Sequence, residues 1–271
     1  MARMNPCCDV ASIGAVAAVR VGRWLWWMTS AFSVGALGGA GVAMLREPQV
    51  SILIEPFERR SPTWVSEDEG EGALFSVEVP RVTGGCREES AAALHGALMR
   101  LVEMPTEGSD ARSLDAQAAS LLEDWRSCRA ENPTSACVAR WWTRREAKVL
   151  HNSGGYLSVQ IAERWYSGGA HSNYRTHIAT FDVATGQRVD ARGLLGVTDR
   201  RRVAAAVGQG VLERGVPCVY EDLIRRALVT ENVAVVEGGL LFSFDPYEVA
   251  GFPQGTIQHV VPWDAVGSAD S

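Results

Sequence analysis

Residues 24–45, WLWWMTSAFSVGALGGAGVAML, carry no charged side chain and are bracketed by Arg23 and Arg46. As a helix this run would extend about 33 Å, the thickness of a bilayer's hydrocarbon core. A surface helix of that length needs a polar stripe, and this one has none. The run therefore stands apart from any water-soluble fold and reads as one N-terminal transmembrane or signal helix. Arg3, Arg20 and Arg23 precede it, and the positive-inside bias then leaves residues 1–23 in the cytoplasm and the chain from about residue 47 outside. Two fates stay open. An uncleaved anchor suits the Trp24, Trp26, Trp27 cluster as an interfacial belt, whereas cleavage near GGAGVA would release a secreted protein. The expected location is the inner membrane, with the C-terminal part in the periplasm or outside the cell; the alternative is secretion after signal cleavage. Ala31, Gly35, Gly39 and Ala43 also form a small-residue stripe on which two such helices would approach closely.

Cysteine usage agrees with export. Cys7 and Cys8 precede the apolar run, while Cys86, Cys128, Cys137 and Cys218 follow it, in what would be an oxidising compartment. Cys128 with Cys137 is the favoured pair, because CRAENPTSAC is a short loop with Asn132-Pro133 at its turn; Cys86 with Cys218 follows by elimination. No C-x-x-C is present. A net charge of -6 with only short arginine clusters argues against nucleic acid as a partner, since neutralising phosphates requires a basic face.

Beyond the apolar run the hydrophobic period alternates between two and about 3.6 residues. Residues 50–57 and 73–82 read as strands. Residues 87–103 and 110–130 read as helices, the second behind a Ser109/Asp110 cap. Strands are then expected at 137–151 and 156–167 around the NSGG turn, and at 173–183. Helices follow at 198–214, capped by Thr198 and ended by Gly215, and at 219–228; strands at 230–236, 240–245 and 256–262 close the chain. Strands segregated from helices mean α+β, a mainly antiparallel sheet with packed helices. The expected division is 1–46 for the cytoplasmic stub and membrane segment, 47–136 for a smaller sub-domain and 137–271 for a larger one.

Familiar catalytic signatures are missing: there is no G-x-S-x-G, no H-E-x-x-H and no P-loop. No cofactor and no metal site is expected. Two stretches stand out. In WYSGGAHSNYRTHIATFD, residues 165–182, Gly168 and Gly169 permit a tight connection between antiparallel strands, and His171 and Tyr174 sit beside it. His171 is open to three readings: a structural hydrogen bond, a binding-site residue, or a metal or catalytic residue paired with His177. The loop between the two histidines weakens the last. In FSFDPYEVAGFPQGT, residues 242–256, Tyr247, Glu248, Phe252 and Gln254 ride on a Pro/Gly-punctuated excursion that suits recognition of a sugar or a protein, or plugs the end of the core. Asp245 and Glu248 are a carboxylate pair of unknown separation.

GGAHSNYRTHIATFDVATGQRV and LLFSFDPYEVAGFPQGTIQHVVPWDAV together resemble the extracytoplasmic domain of unknown function of RsiV-type anti-sigma factors and PdaC-type peptidoglycan deacetylases, over residues 150–266. Gly168, Gly169, Ala170, His171, Tyr247 and Gly255 match its pattern. The resemblance implies an α+β envelope domain that works by binding, lysozyme being bound in one case. The stub of residues 1–23 is short for a sigma-factor-binding region, so the role expected is that of the domain itself. Combined with the residue-level reading, the expectation is a membrane-tethered or exported bacterial envelope protein with a non-catalytic binding domain for cell-wall glycan or an envelope protein. Its binding candidates are His171, Tyr174, Tyr247 and Glu248, with Gly168, Gly169 and Gly255 as turn residues. The alternatives are a cell-wall glycan hydrolase using Asp245 or Glu248 with His171, and a purely structural interaction protein.

Overall fold

The computed structural model describes residues 49–67, 70–103, 112–132, 137, 139–191, 193, 197–217 and 219–266; the apolar run 24–45 and Cys218 lie outside them. Among the described residues no helix is long and apolar enough to cross a membrane. The architecture is α+β. A six-stranded sheet has the order β1 (Ser51–Arg60), β2 (Ala73–Gly84), β3 (Trp141–Ser153), β4 (Tyr156–Tyr166), β5 (Asn173–Asp182) and β6 (Arg188–Val189). All neighbours are antiparallel except β2 and β3, which run parallel. A parallel pair requires a crossover, and helices α1 (Glu88–Glu103) and α2 (Leu114–Glu131) supply it. The sheet thus runs straight across the 136/137 boundary expected from sequence.

A second sheet of β7 (Val233–Val236), β8 (Gly239–Phe244) and β9 (Ile257–Pro262) lies between the first sheet and helices α3 (Val197–Glu213) and α4 (Leu223–Val229). The molecule is therefore layered helix, sheet, sheet, helix. Alternation sorts the cores. Leu157, Val159 and Ile161 of β4 face Leu94, Leu98 and Val102 of α1. On the other side Ile178 meets Ala234 and Leu241, while Leu240, Phe242 and Phe244 point to Val203, Val207 and Val211 of α3. Being covered on both faces, β8 is buried at every position, which is why GLLFSF reads as a run rather than an alternation.

Several boundaries differ from expectation. The α2 cap is Ser113, whose side chain accepts from Ala116 N–H, and not Ser109/Asp110, which lie outside the described residues. Helix α3 starts at Val197, ahead of Thr198. Strand β6 escapes sequence reading because two residues show no period; its turn is held by Asp182 Oδ1, which accepts from Thr185 N–H at 2.8 Å. Cys128 and Cys137 form a disulfide, with Cα atoms 5.2 Å apart; Cys86 has no disulfide partner among the described residues, and the Cys218 expected to pair with it lies outside them.

One buried ion network ties the first helix layer to the sheet. Arg145 of β3 and Glu163 of β4 are both about 5% exposed. Arg145 Nε donates to Glu163 Oε1 at 2.8 Å, and its other nitrogens donate to Val102 O at 2.9 Å, at the end of α1, and to Gln117 Oε1 at 2.8 Å, on α2. Glu163 Oε2 accepts from Arg175 Nε of β5 at 2.6 Å. Burial pulls the Arg145 pKa down, and Glu163 opposes that.

Two stability measurements check this account. Glu163→Ala strands the Arg145 guanidinium without its counter-charge, and urea unfolding should register a loss of about 3–5 kcal/mol; a loss under about 1 kcal/mol would mean that water reaches Arg145. Replacing Cys128 and Cys137 by serine should lower stability by about 2.7 kcal/mol, the closure entropy of so short a loop, and reductant should then have no further effect on the variant.

Candidate functional site

The connection between β4 and β5, residues 167–172, is the SGGAHS stretch. Gly168 and Gly169 take φ of 90° and 111°, which side chains bearing a Cβ rarely adopt. Tyr166 Oη donates to Gly169 O at 2.9 Å and fastens the loop to its own strand. His171 emerges exposed, its Nδ1 3.1 Å from Ser172 O.

The 245–256 excursion folds against this loop. It leaves β8 at Asp245, turns through Tyr247 N–H to Ala250 O, and forms a 3₁₀ turn over Phe252–Gln254. Tyr247 has φ of 69°, the one left-handed non-glycine backbone among the described residues, and its ring is 61% exposed. Gly255, also at φ 69°, brings the chain back beneath Tyr174, whose hydroxyl would stand 3.3 Å from a Cβ there. Phe252 is the hub. His171 stacks on it at 4.1 Å with 29° between the planes, Tyr174 lies at 5.2 Å and Tyr247 at 5.8 Å. Tyr174 Oη donates to Phe252 O at 3.1 Å; burial, then Tyr247, raises the phenol's pKa, so the proton stays to make that bond.

Between this shelf and β4–β5 lies an open concavity of about 490 Å³, within the size range of small-ligand sites. His171, Tyr174 and Phe252 line one side, and Arg164, Arg175 and Gln258 are among its polar lining. Gln258 Nε2 donates to Gln160 Oε1 at 3.0 Å, leaving amide atoms of both side chains for a visitor. Arg175 is held by Glu163 and lies over the Trp165 ring at 5.7 Å.

The sequence candidates separate into two groups. His171, Tyr174 and Tyr247 meet around Phe252. Glu248 turns away: its Oε2 accepts from Asp245 N–H at 2.6 Å. Asp245 in turn caps a strand edge, its Oδ1 accepting from Thr176 N–H at 2.8 Å. Neither carboxylate lines the concavity. His171 and His177 do not converge, because strand alternation sends His177 to the face opposite Tyr174 and Thr176. Burial, then the nearby Arg175, pushes the His177 pKa down to about 4. Among the described residues no group of three or more His, Cys, Asp or Glu is placed to hold a metal. Sequence reading passed over Gln160, Arg164, Arg175 and Gln258, which are polar positions on strands with no local motif; only the register of β4, β5 and β9 assembles them. Phe252 stood in the quoted loop, but nothing in the loop marked it as the hub.

Residues 223–264 match a family described as a protein of unknown function, DUF3298. The matched segment includes Tyr247 and Phe252 but begins after the β4–β5 hairpin. No curated protein matches the chain. Among solved structures, a member of the DUF3298 family from Bacteroides fragilis NCTC 9343 is similar at 12% identity and a TM-score of 0.62, covering 82% of this chain and 96% of that one. A DUF3298 family protein from Pseudomonas aeruginosa PAO1 is similar at 16% identity and a TM-score of 0.60, covering 81% and 94%. At such identities the likeness is one of fold.

The capping carboxylate generates a pH prediction. Burial, then Glu248, raises Asp245 to about 7, against the pull of the Thr176 N–H. A carboxyl that keeps its proton longer in the folded state contributes stability fully below its unfolded pKa, about 3.9, and loses it as pH rises toward about 7. Asp245→Asn retains an Oδ1 acceptor and cannot ionise. Its stability relative to wild type should therefore climb between about pH 4 and about pH 7 and then level off, as thermal melts across that range will record. A flat difference would mean that Asp245 ionises alike in both states.

Proposed function

We propose that this chain is an envelope protein, tethered through residues 24–45 or exported, whose outward domain binds a cell-wall component or an envelope protein at the shelf of Phe252, His171, Tyr174 and Tyr247. The observation that carries this reading is the stacking of His171 on Phe252, side chains 81 positions apart, at the rim of a concavity with unspent polar atoms. Aromatic rings half-exposed on a hydrogen-bonded loop offer contact area at little entropic cost. Kinship with the extracytoplasmic domains of RsiV-type and PdaC-type proteins belongs to the same proposal, and the GGAH turn and FDPYEVAGFPQG tail support it. The hydrolase alternative draws less support, since Asp245 and Glu248 direct their oxygens to backbone N–H groups.

The test is retention. Full-length protein in detergent, immobilised and exposed to purified cell wall and to envelope extract, should hold a specific component. Phe252→Ala and His171→Ala should each release it while still unfolding cooperatively; His171→Ala, which loses a single stacked pair worth about 0.5–1.5 kcal/mol, should melt within a few degrees of wild type. Retention that survives both substitutions would remove the shelf from the binding surface.

A further inference from the structure

The protein is acidic as a whole, at a net charge of -6, yet the polar wall of the concavity is basic. Arg164 and Arg175 line it, with Glu163 as the one carboxylate among the lining residues. Glu163 places one oxygen on Arg145 and the other on Arg175, so it has none left for a further cation. Arg164, next along β4, is exposed and makes no ion pair among the described residues. Its cross-strand neighbours are Arg144 on one side and Tyr174 on the other. Arg144 is engaged by Glu67, and Glu146, the same-face carboxylate two residues on along β3, forms no ion pair with Arg164 among the described residues. The carboxylates of the excursion, Asp245 and Glu248, accept from Thr176 N–H and Asp245 N–H.

We infer that the concavity recognises an acidic saccharide, a pyranose ring lying on the Phe252–His171 shelf with its carboxylate at Arg164. This deepens the binding role proposed above and rests on it. Each part of such a ligand meets a matching group. The apolar face of a sugar ring needs an aromatic surface, and Phe252 with Tyr174 and His171 provides one at the rim. Ring hydroxyls need donors and acceptors together, and the Gln160–Gln258 amide pair offers both. A carboxylate needs a guanidinium whose fork is not already occupied, and Arg164 fits where Arg175 does not, its Nε being bonded to Glu163. An acidic peptide would satisfy Arg164 equally well but would leave the stacked shelf without a ring to cover.

Titration calorimetry on the full-length protein in detergent separates these possibilities with three probes: tetragalacturonate, neutral tetra-N-acetylglucosamine and tetraglutamate. Tetragalacturonate should bind about tenfold or more tighter than either of the others, the usual margin of a charge-assisted hydrogen bond. Arg164→Gln should erase its advantage over the neutral tetramer, and Phe252→Ala should weaken both sugars. Equal affinity for the two sugars would overturn the acidic class and leave a shelf that binds rings. Equal affinity for tetraglutamate would overturn the saccharide class, with charge alone being read. Binding of none of the three, alongside retention that still depends on Phe252, would overturn the saccharide inference while the binding role stood; loss of that dependence as well would remove both.

Discussion

Arg145 and Glu163 sit about 5% exposed beneath α1 and α2, and charges held that far from water are unfavourable unless each polar atom has a partner. Here the partners come from every neighbouring element. The carbonyls of Val102 and Glu103 are orphans at the end of α1, as helix ends always leave them, and Arg145 takes both. Gln117 of α2 accepts a third bond, and its own amide donates back to Glu103 O. The ends of both helices are thereby pinned to the centre of the sheet. Because Glu163 has a second oxygen, the network continues to Arg175 on β5 and so reaches the wall of the concavity. The charge lining the site is a continuation of the charge that holds the layers together.

The second constraint is the edge of β5. Strand β6 pairs with it only at Thr180 and Phe181, which leaves the length toward the hairpin without a neighbouring strand. Unpaired N–H groups along a strand edge invite association, and here side chains cap them. Asp245 Oδ1 takes Thr176 N–H and Asn232 Oδ1 takes Ile178 N–H. Further along, Thr180 Oγ1 accepts from Val235 N–H. These bonds come from β7 itself and from the residues flanking β7 and β8, so capping the edge also docks the second sheet. Asp245 opens the excursion that carries Tyr247 and Phe252, and its bond to Thr176 sets that loop against the hairpin. A requirement of backbone hydrogen bonding thus brings two distant loops into one aromatic cluster.

Such a cluster differs from a core plug in where its rings sit. Tyr247 and His171 are exposed, and the backbone at Tyr247 holds a left-handed conformation that a non-glycine residue adopts only under constraint. The constraint is local: Tyr247 N–H bonds to Ala250 O and Glu248 grips Asp245 N–H. The excursion is a built turn that presents aromatic surface beside a basic wall, on a molecule whose total charge is negative. That combination is the physical basis for reading it as a recognition surface.

The sequence alone determined what rests on local periodicity and turn chemistry. The alternation of Leu157, Val159 and Ile161, the helical spacing of Leu94, Leu98 and Val102, the glycines of the two hairpins and the short Cys128–Cys137 loop all act within a few residues, so they are legible without a structure. The same locality made Asp245, Tyr247 and His171 noticeable, since each sits beside a turn signal. Tertiary structure decided the rest. The parallel pairing of β2 with β3 depends on how α1 and α2 cross the sheet, and no local period encodes it. Burial of Arg145 depends on carbonyls at the end of another element. The concavity exists because the register of β4 with β5 and the docking of the second sheet bring Arg164, Gln160, Gln258 and Phe252 to one place. Side chains that chemistry requires together were separated by up to 98 positions, and only long-range packing closes such distances.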